Sequence, residues 1–64
     1  MRLRDLREDS DLTQSELSEF LHIKQNTYSQ YENGKRQVPL DILIRLADYY
    51  DCSIDYLTGR TNQK

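Results

Sequence analysis

Leu12 to Gly34, LTQSELSEFLHIKQNTYSQYENG, is the stretch that decides the fold. Thr13-Gln14-Ser15-Glu16 within it has the form of a capping box: the threonine hydroxyl and the glutamate carboxylate each take a backbone donor that the first turn of a helix leaves free. Leu12 and Leu17 flank the box as a hydrophobic staple. This pattern predicts a helix that starts at Gln14, turns Leu17, Phe20 and Leu21 inward, leaves Glu16 and Glu19 outward, and stops near His22. Histidine is among the residues enriched at the positive φ of a tight turn. Another helix is predicted from Gln25 to Glu32, closed at Asn33-Gly34, where glycine can take the left-handed conformation.

On a wheel of about 100° per residue, Gln25, Ser29, Asn33, Asn26 and Gln30 fall within an arc of about 140°, with Tyr28 and Tyr31 on the other side. A helix that only faces solvent usually carries glutamate and lysine outward, whereas this face is amide and hydroxyl without charge. Such side chains read adenine edges by paired donor and acceptor contacts and bond to phosphates. A capped helix, a turn of about four residues and a second helix with one amide face follow the helix-turn-helix plan.

The flanking sequence predicts an all-α domain of five helices over residues 1–59, with 60–64 as a polar tail. Leu3 and Leu6, one turn apart, give a first helix from Arg2 to Asp9 whose remaining face is solvated charge, interrupted by Ser10-Asp11. Lys35-Arg36-Gln37 reads as loop. Pro39 suits the first position of a fourth helix in which Leu40, Leu43, Ile44, Ala47 and Tyr50 recur toward the core. Ile42 and Tyr49 lie nearly opposite that stripe, an apolar ridge suited to a partner. Asp51-Cys52 breaks this helix, Ser53 caps a short fifth one with Ile54 and Leu57 inward, and Gly59 ends it.

Composition narrows the function classes. A chain of 64 residues is one domain that buries only about 60% of its unfolded surface, which disfavours a deep catalytic cavity. His22 and Cys52 are the sole histidine and cysteine, far apart and without an orienting third group, so no nucleophile is assembled. Neither metal nor cofactor is expected: the carboxylates sit on solvent faces with no calcium-loop spacing, and Cys52 reads as a small apolar filler. One cysteine allows no internal disulfide, and Met1 leads straight into charges rather than a secretion signal. A soluble cytoplasmic protein is expected.

Leu12-Thr13-Gln14-Ser15-Glu16-Leu17, Ile23, Tyr31-Glu32-Asn33-Gly34-Lys35-Arg36 and Ser53-Ile54-Asp55-Tyr56-Leu57 together resemble the phage Cro and repressor type of helix-turn-helix domain, the XRE-like family. The resemblance spans residues 2–59. It implies a lambda-repressor-like fold and a DNA-binding transcriptional regulator, not an enzyme. It further implies that Gln14 contacts a DNA phosphate and braces the recognition helix, in keeping with the positive end of a helix at that position. By the same resemblance Gln25, Asn26 and Gln30 read base edges, with Ser29 on the same face, and Asn33, Lys35 and Arg36 belong to the loop that holds the phosphate backbone. Glu32 is expected to fix structure rather than touch DNA, and Tyr28 and Tyr31 to pack in the core with hydroxyls at its rim.

Two positions depart from the family pattern. His22 replaces the usual turn glycine, and Lys24 replaces the usual Ser or Thr cap of the recognition helix. The second forfeits a cap worth roughly 1 kcal/mol and puts a cation at the positive dipole end, a penalty that an arriving phosphate reverses. Lys24 is therefore expected on the DNA backbone.

A net charge of -2 looks adverse to DNA, but the sum conceals a partition. Residues 22–36 carry Lys24, Lys35 and Arg36 against Glu32 alone, locally +2. Such a footprint predicts weak attraction to unrelated DNA and more weight on base reading and dimerisation. The expected partner is double-stranded DNA with an inverted-repeat operator, bound by a homodimer whose interface includes Ile42 and Tyr49. A reading from another class is a protein-interaction module, antitoxin-like or an adaptor, that uses the Ile42 and Tyr49 surface.

Overall fold

In the computed structural model, which describes residues 1–64, the chain forms five helices and no strand: α1 (Leu3–Asp9), α2 (Gln14–Leu21), α3 (Gln25–Glu32), α4 (Leu40–Tyr50) and α5 (Ile54–Thr58). The predicted capping box is present: Glu16 N donates to Thr13 Oγ1 at 3.0 Å and Thr13 N to Glu16 Oε1 at 2.9 Å. Ser53 caps α5 in the simpler way, its hydroxyl accepting from Tyr56 N.

Every helix closes by the same device, a residue with positive φ that lets the chain fold back onto the last turn's carbonyls. Those residues are Asp11 (φ 56°), His22 (φ 58°), Gly34 (φ 72°), Asp51 (φ 54°) and Gly59 (φ 86°). At the end of α2, for instance, His22 N donates to Glu19 O at 3.1 Å and Ile23 N to Ser18 O at 3.0 Å. His22 thus holds the conformation expected of the turn between α2 and α3.

The core is built from Leu3, Leu17, Leu21, Tyr28, Tyr31, Val38, Ile42, Leu46, Ala47 and Leu57. It corrects the predicted roll of α4: Ile42 is buried, not on an outward ridge, whereas Leu40 and Ile44 are 65% and 44% exposed. Apolar residues cover α4 except for the strip of Asp41, Arg45 and Asp48, a band so wide that helical period alone does not fix which stripe faces inward. The observed roll also delivers Arg45 to the end of α2, where it donates to Leu21 O at 3.0 Å and Phe20 O at 2.8 Å. These are carbonyls that a helix end leaves unpaired, and a cation there is favoured by the helix dipole. Phe20, expected inward, is instead 42% exposed and packs its ring 4.8 Å from that of Tyr49.

The chain ends meet. Arg2 N donates to Leu57 O, and its guanidinium donates to Tyr56 O, Thr61 O and Asn62 Oδ1 while lying 4.4 Å from the Tyr56 ring centroid. Ser53 N donates to Lys64 O at 2.9 Å, so residues 60–64 fold back onto the helical body. Pro39 is the N-cap of α4, one position ahead of the place expected for it. No helix is long and apolar enough to cross a membrane.

The aromatic side of α3 fills the core as expected, but the Tyr28 hydroxyl is not at its rim. It is buried, makes no hydrogen bond of good geometry although it adjoins Glu32, and its pKa is driven up first by burial and then by that carboxylate. The Tyr50 hydroxyl is likewise buried without a partner, and burial pushes its pKa up to about 12. An unpaired buried hydroxyl carries a desolvation penalty, so Tyr50→Phe, at a hydroxyl with no carboxylate beside it, is expected to raise stability by about 1 kcal/mol. Urea unfolding measures it; a loss of stability would show that the hydroxyl is bonded.

Candidate nucleic-acid interface

Helices α2 and α3 are joined by the tight turn at His22 and set against each other by Leu17, Leu21 and Tyr28, all buried. With the tyrosines inward, the opposite face of α3 is free. Gln25, Asn26, Gln30 and Asn33 are exposed and Ser29 is half-buried, so the expected amide and hydroxyl face exists as one surface. Lys24, Lys35 and Arg36 are exposed at its two ends, Lys24 at the N-terminus of α3 and the other two in the loop after Gly34.

Lys24 is the N-cap of α3, with extended backbone and no side-chain cap. The free N–H groups of the first turn therefore point outward beside an ammonium group, an arrangement suited to an anion. Thr13, by contrast, caps α2, and Gln14 in its first turn turns its amide toward the protein, Nε2 donating to Glu32 Oε1 at 3.1 Å. This is the bracing part of the role expected of Gln14.

Glu32 is the node that fixes α3. Its side chain is fully covered, and Arg7 donates to it from Nε at 2.7 Å and from Nη2 at 3.3 Å, while Arg7 Nη1 donates to Leu12 O at 2.8 Å. Arg4 adds a long contact of 3.5 Å. One carboxylate thus ties α1, the start of α2 and the end of α3 together. Burial alone would raise the pKa of Glu32, but the hydrogen-bonding groups of Arg7, the adjoining Tyr28 and Gln14, together with the Arg7 charge, outweigh it and hold the value below the usual glutamate range. The same hydrogen bond raises the pKa of Arg7.

The charged face of α1 is therefore not simply solvated, as its sequence suggests. Arg4 and Arg7 stand one turn apart on α1, and Glu32 is the only acid of the recognition segment, residues 22–36. Arg4 also reaches Asn33, its Nη2 donating to Oδ1 at 2.8 Å, and Asn33 Nδ2 lies 3.4 Å from Ser29 Oγ. Asn33 is also the C-cap of α3.

The ridge expected from Ile42 and Tyr49 is not formed, because Ile42 is in the core. Tyr49 is 44% exposed and is accompanied by Phe20 instead. Elsewhere, no group of three His, Cys, Asp or Glu side chains is placed to hold a metal ion. Burial pushes the Cys52 thiol up in pKa, which lowers its reactivity.

A helix-turn-helix family model matches residues 3–57. The chain is 43% identical over 61 residues to the uncharacterized HTH-type transcriptional regulator YobD of Bacillus subtilis, covering 95% of this chain and 54% of that protein. It is 39% identical over 59 residues to the HTH-type transcriptional regulator ImmR of Bacillus subtilis, covering 92% and 46%. Against the cryptic phage CTXphi transcriptional repressor RstR of Vibrio cholerae the identity is 36% over 58 residues, covering 91% and 52%. The chain spans about half the length of these curated relatives. No solved structure matches it. With its five helices, its capped α2, the tight turn and the exposed amide face of α3, the chain belongs to the XRE-type helix-turn-helix family, a DNA-binding and non-enzymatic class of transcriptional regulators.

Proposed function

We propose that this chain is the operator-binding unit of a cytoplasmic transcriptional repressor and that α3 reads the major groove. The observation that carries this reading is the uncharged face of Gln25, Asn26, Ser29 and Gln30, backed by buried tyrosines and locked by the Glu32 node. Lys24, Lys35 and Arg36 contact phosphates, as does the backbone at Gln14, and Asn33 lies at the edge of that contact. A homodimer places two such helices on inverted half-sites one helical turn, ~34 Å, apart. Its self-association surface comprises Tyr49 with Phe20, since Ile42 is unavailable. Occupation of the operator excludes the transcription machinery from the promoter.

Titration of duplex DNA at several salt concentrations tests this. Each cation that neutralises a phosphate steepens the fall of log affinity with log salt by about 0.9. Lys24→Ala is expected to weaken every duplex alike and to reduce the slope by about one. An unchanged affinity and slope would remove Lys24 from the interface. Absence of any salt-dependent binding by the wild-type chain would favour an interaction module working through Phe20 and Tyr49.

A further inference from the structure

Three arginines are engaged inside the protein: Arg2 on the carbonyls of Tyr56 and Thr61, Arg7 on Glu32 and Leu12 O, and Arg45 on the last carbonyls of α2. Arg4 is not engaged in that way. Its side chain is 54% exposed, and the one acid within ion-pair distance is Glu32, 3.5 Å from Nε. Arg7 already neutralises that carboxylate through donors at 2.7 Å and 3.3 Å, and Gln14 adds another at 3.1 Å. The group of Arg4, Arg7 and Glu32 therefore carries a surplus positive charge, and the surplus lies on the exposed guanidinium. Glu8, one turn along α1, is exposed and makes no ion pair with it.

What Arg4 does hold is Asn33, its Nη2 donating to Oδ1 at 2.8 Å. A guanidinium has five donors, so both protons of Nη1 and one of Nη2 find no acceptor within the protein. The bond to Asn33 and the long contact to Glu32 orient the fork before any partner arrives. Lys24, Lys35 and Arg36 are exposed and their side chains have no such ties. An oriented fork loses less rotamer freedom on binding than a free side chain.

We infer that Arg4 is a phosphate contact, which brings α1 into the DNA interface. The inference rests on α3 being the reading helix. The major groove is about 12 Å wide and a helix with its side chains about 10–12 Å across, so groups at the flank of a seated helix meet the phosphate walls rather than base edges. Asn33 is the C-cap of α3, and Arg4 reaches it from a neighbouring helix, which puts the guanidinium at that flank. Its free N–H groups match two oxygens of one phosphate. Lys24 then grips the backbone at the start of α3, and Arg4, Lys35 and Arg36 grip it at the end.

The experiment is titration of the preferred duplex and a scrambled one at several salt concentrations with the full chain and its Arg4→Met and Arg4→Lys variants. Melting temperatures confirm folding, which Arg7 and Gln14 secure by holding Glu32. A second series uses the preferred duplex with single phosphates replaced by uncharged methylphosphonate. Arg4→Met is expected to weaken both duplexes by about tenfold, the scale of one charge-assisted hydrogen bond, and to reduce the salt slope by about 0.9. Arg4→Lys keeps the slope and binds with intermediate affinity, because an ammonium has the charge without the fork. One methylphosphonate costs the wild type about tenfold and Arg4→Met nothing, the mark of a direct pair. Unchanged affinity and slope in Arg4→Met overturn the inference and leave α3 as reader. A loss confined to one base pair, with the slope kept, makes Arg4 a base contact and overturns it too. If every methylphosphonate costs Arg4→Met as much as the wild type, Arg4 touches no phosphate and the inference falls. Absence of salt-dependent binding by the wild type removes the functional reading and this one together.

Discussion

Glu32→Ala is expected to destabilise the domain by about 3 kcal/mol, enough to unfold much of a population at ordinary temperature. The substitution leaves Arg7, only 13% exposed, without its counter-charge and removes the acceptor that Gln14 uses. Breaking one side of a buried pair typically costs about 3–5 kcal/mol, and the lower end applies here. In a body 18 Å across its shortest axis, no carboxylate lies far from water. Urea unfolding of the wild type and the variant measures the loss. The same node sets an acid limit on the fold. The pKa of Glu32 is lowered in the folded state, so its contribution is complete above the ordinary glutamate value near 4.5 and disappears as pH falls through the folded value. Glu32→Gln is expected to lower stability at neutral pH and to flatten the loss of stability on acidification below about pH 4.5. A parallel acid limb in wild type and variant would show that other carboxylates govern it.

Gln25→Ala and Gln30→Ala are each expected to weaken binding of the preferred duplex by tenfold or more, from about 1–3 kcal/mol per paired base contact. Made together they should cost over a hundredfold at one half-site, because the two side chains lie in separate turns and act on different bases. Both residues are exposed and neither supports the core, so stability should stay within about 0.5 kcal/mol of wild type. Affinity for scrambled DNA should change little, in contrast to Lys24→Ala, which acts on all sequences. Competition binding with preferred and scrambled duplexes at one salt concentration separates the two kinds of loss.

Local chemistry made the helix-turn-helix legible before any coordinates. Thr13 and Glu16 cap each other within one turn, and Asn33-Gly34 closes α3 within two residues, so both signals are complete in short windows of sequence. The roll of α4 was not legible in that way. Leu40, Ile42, Leu43, Ile44, Leu46, Ala47, Tyr49 and Tyr50 cover all of the helix but the strip of Asp41, Arg45 and Asp48, and the stripe that turns inward, Ile42, Leu46 and Ala47, is chosen by packing against the other helices, a tertiary event. Closures at Asp11 and Asp51 were visible as breaks but not as left-handed residues, because aspartate visits that conformation far less readily than glycine. The candidate site divides similarly. The amide face of α3 follows from its own wheel, whereas the part played by Arg4 and Arg7 emerges only when α1 packs beside Glu32 and Asn33. A charged helix and a solvated helix read alike until a buried acid is brought to it.

The most direct test of the central claim, that α3 enters the major groove, is an amide NMR titration of the nitrogen-labelled chain with a duplex bearing a single half-site. The predicted result is that the largest shifts fall at Gln14, from Lys24 to Gln30, and from Asn33 to Arg36, while Phe20, Tyr49 and α5 stay in place. The contrary result would be shifts centred on Phe20 and Tyr49, or on α5, with α3 unmoved.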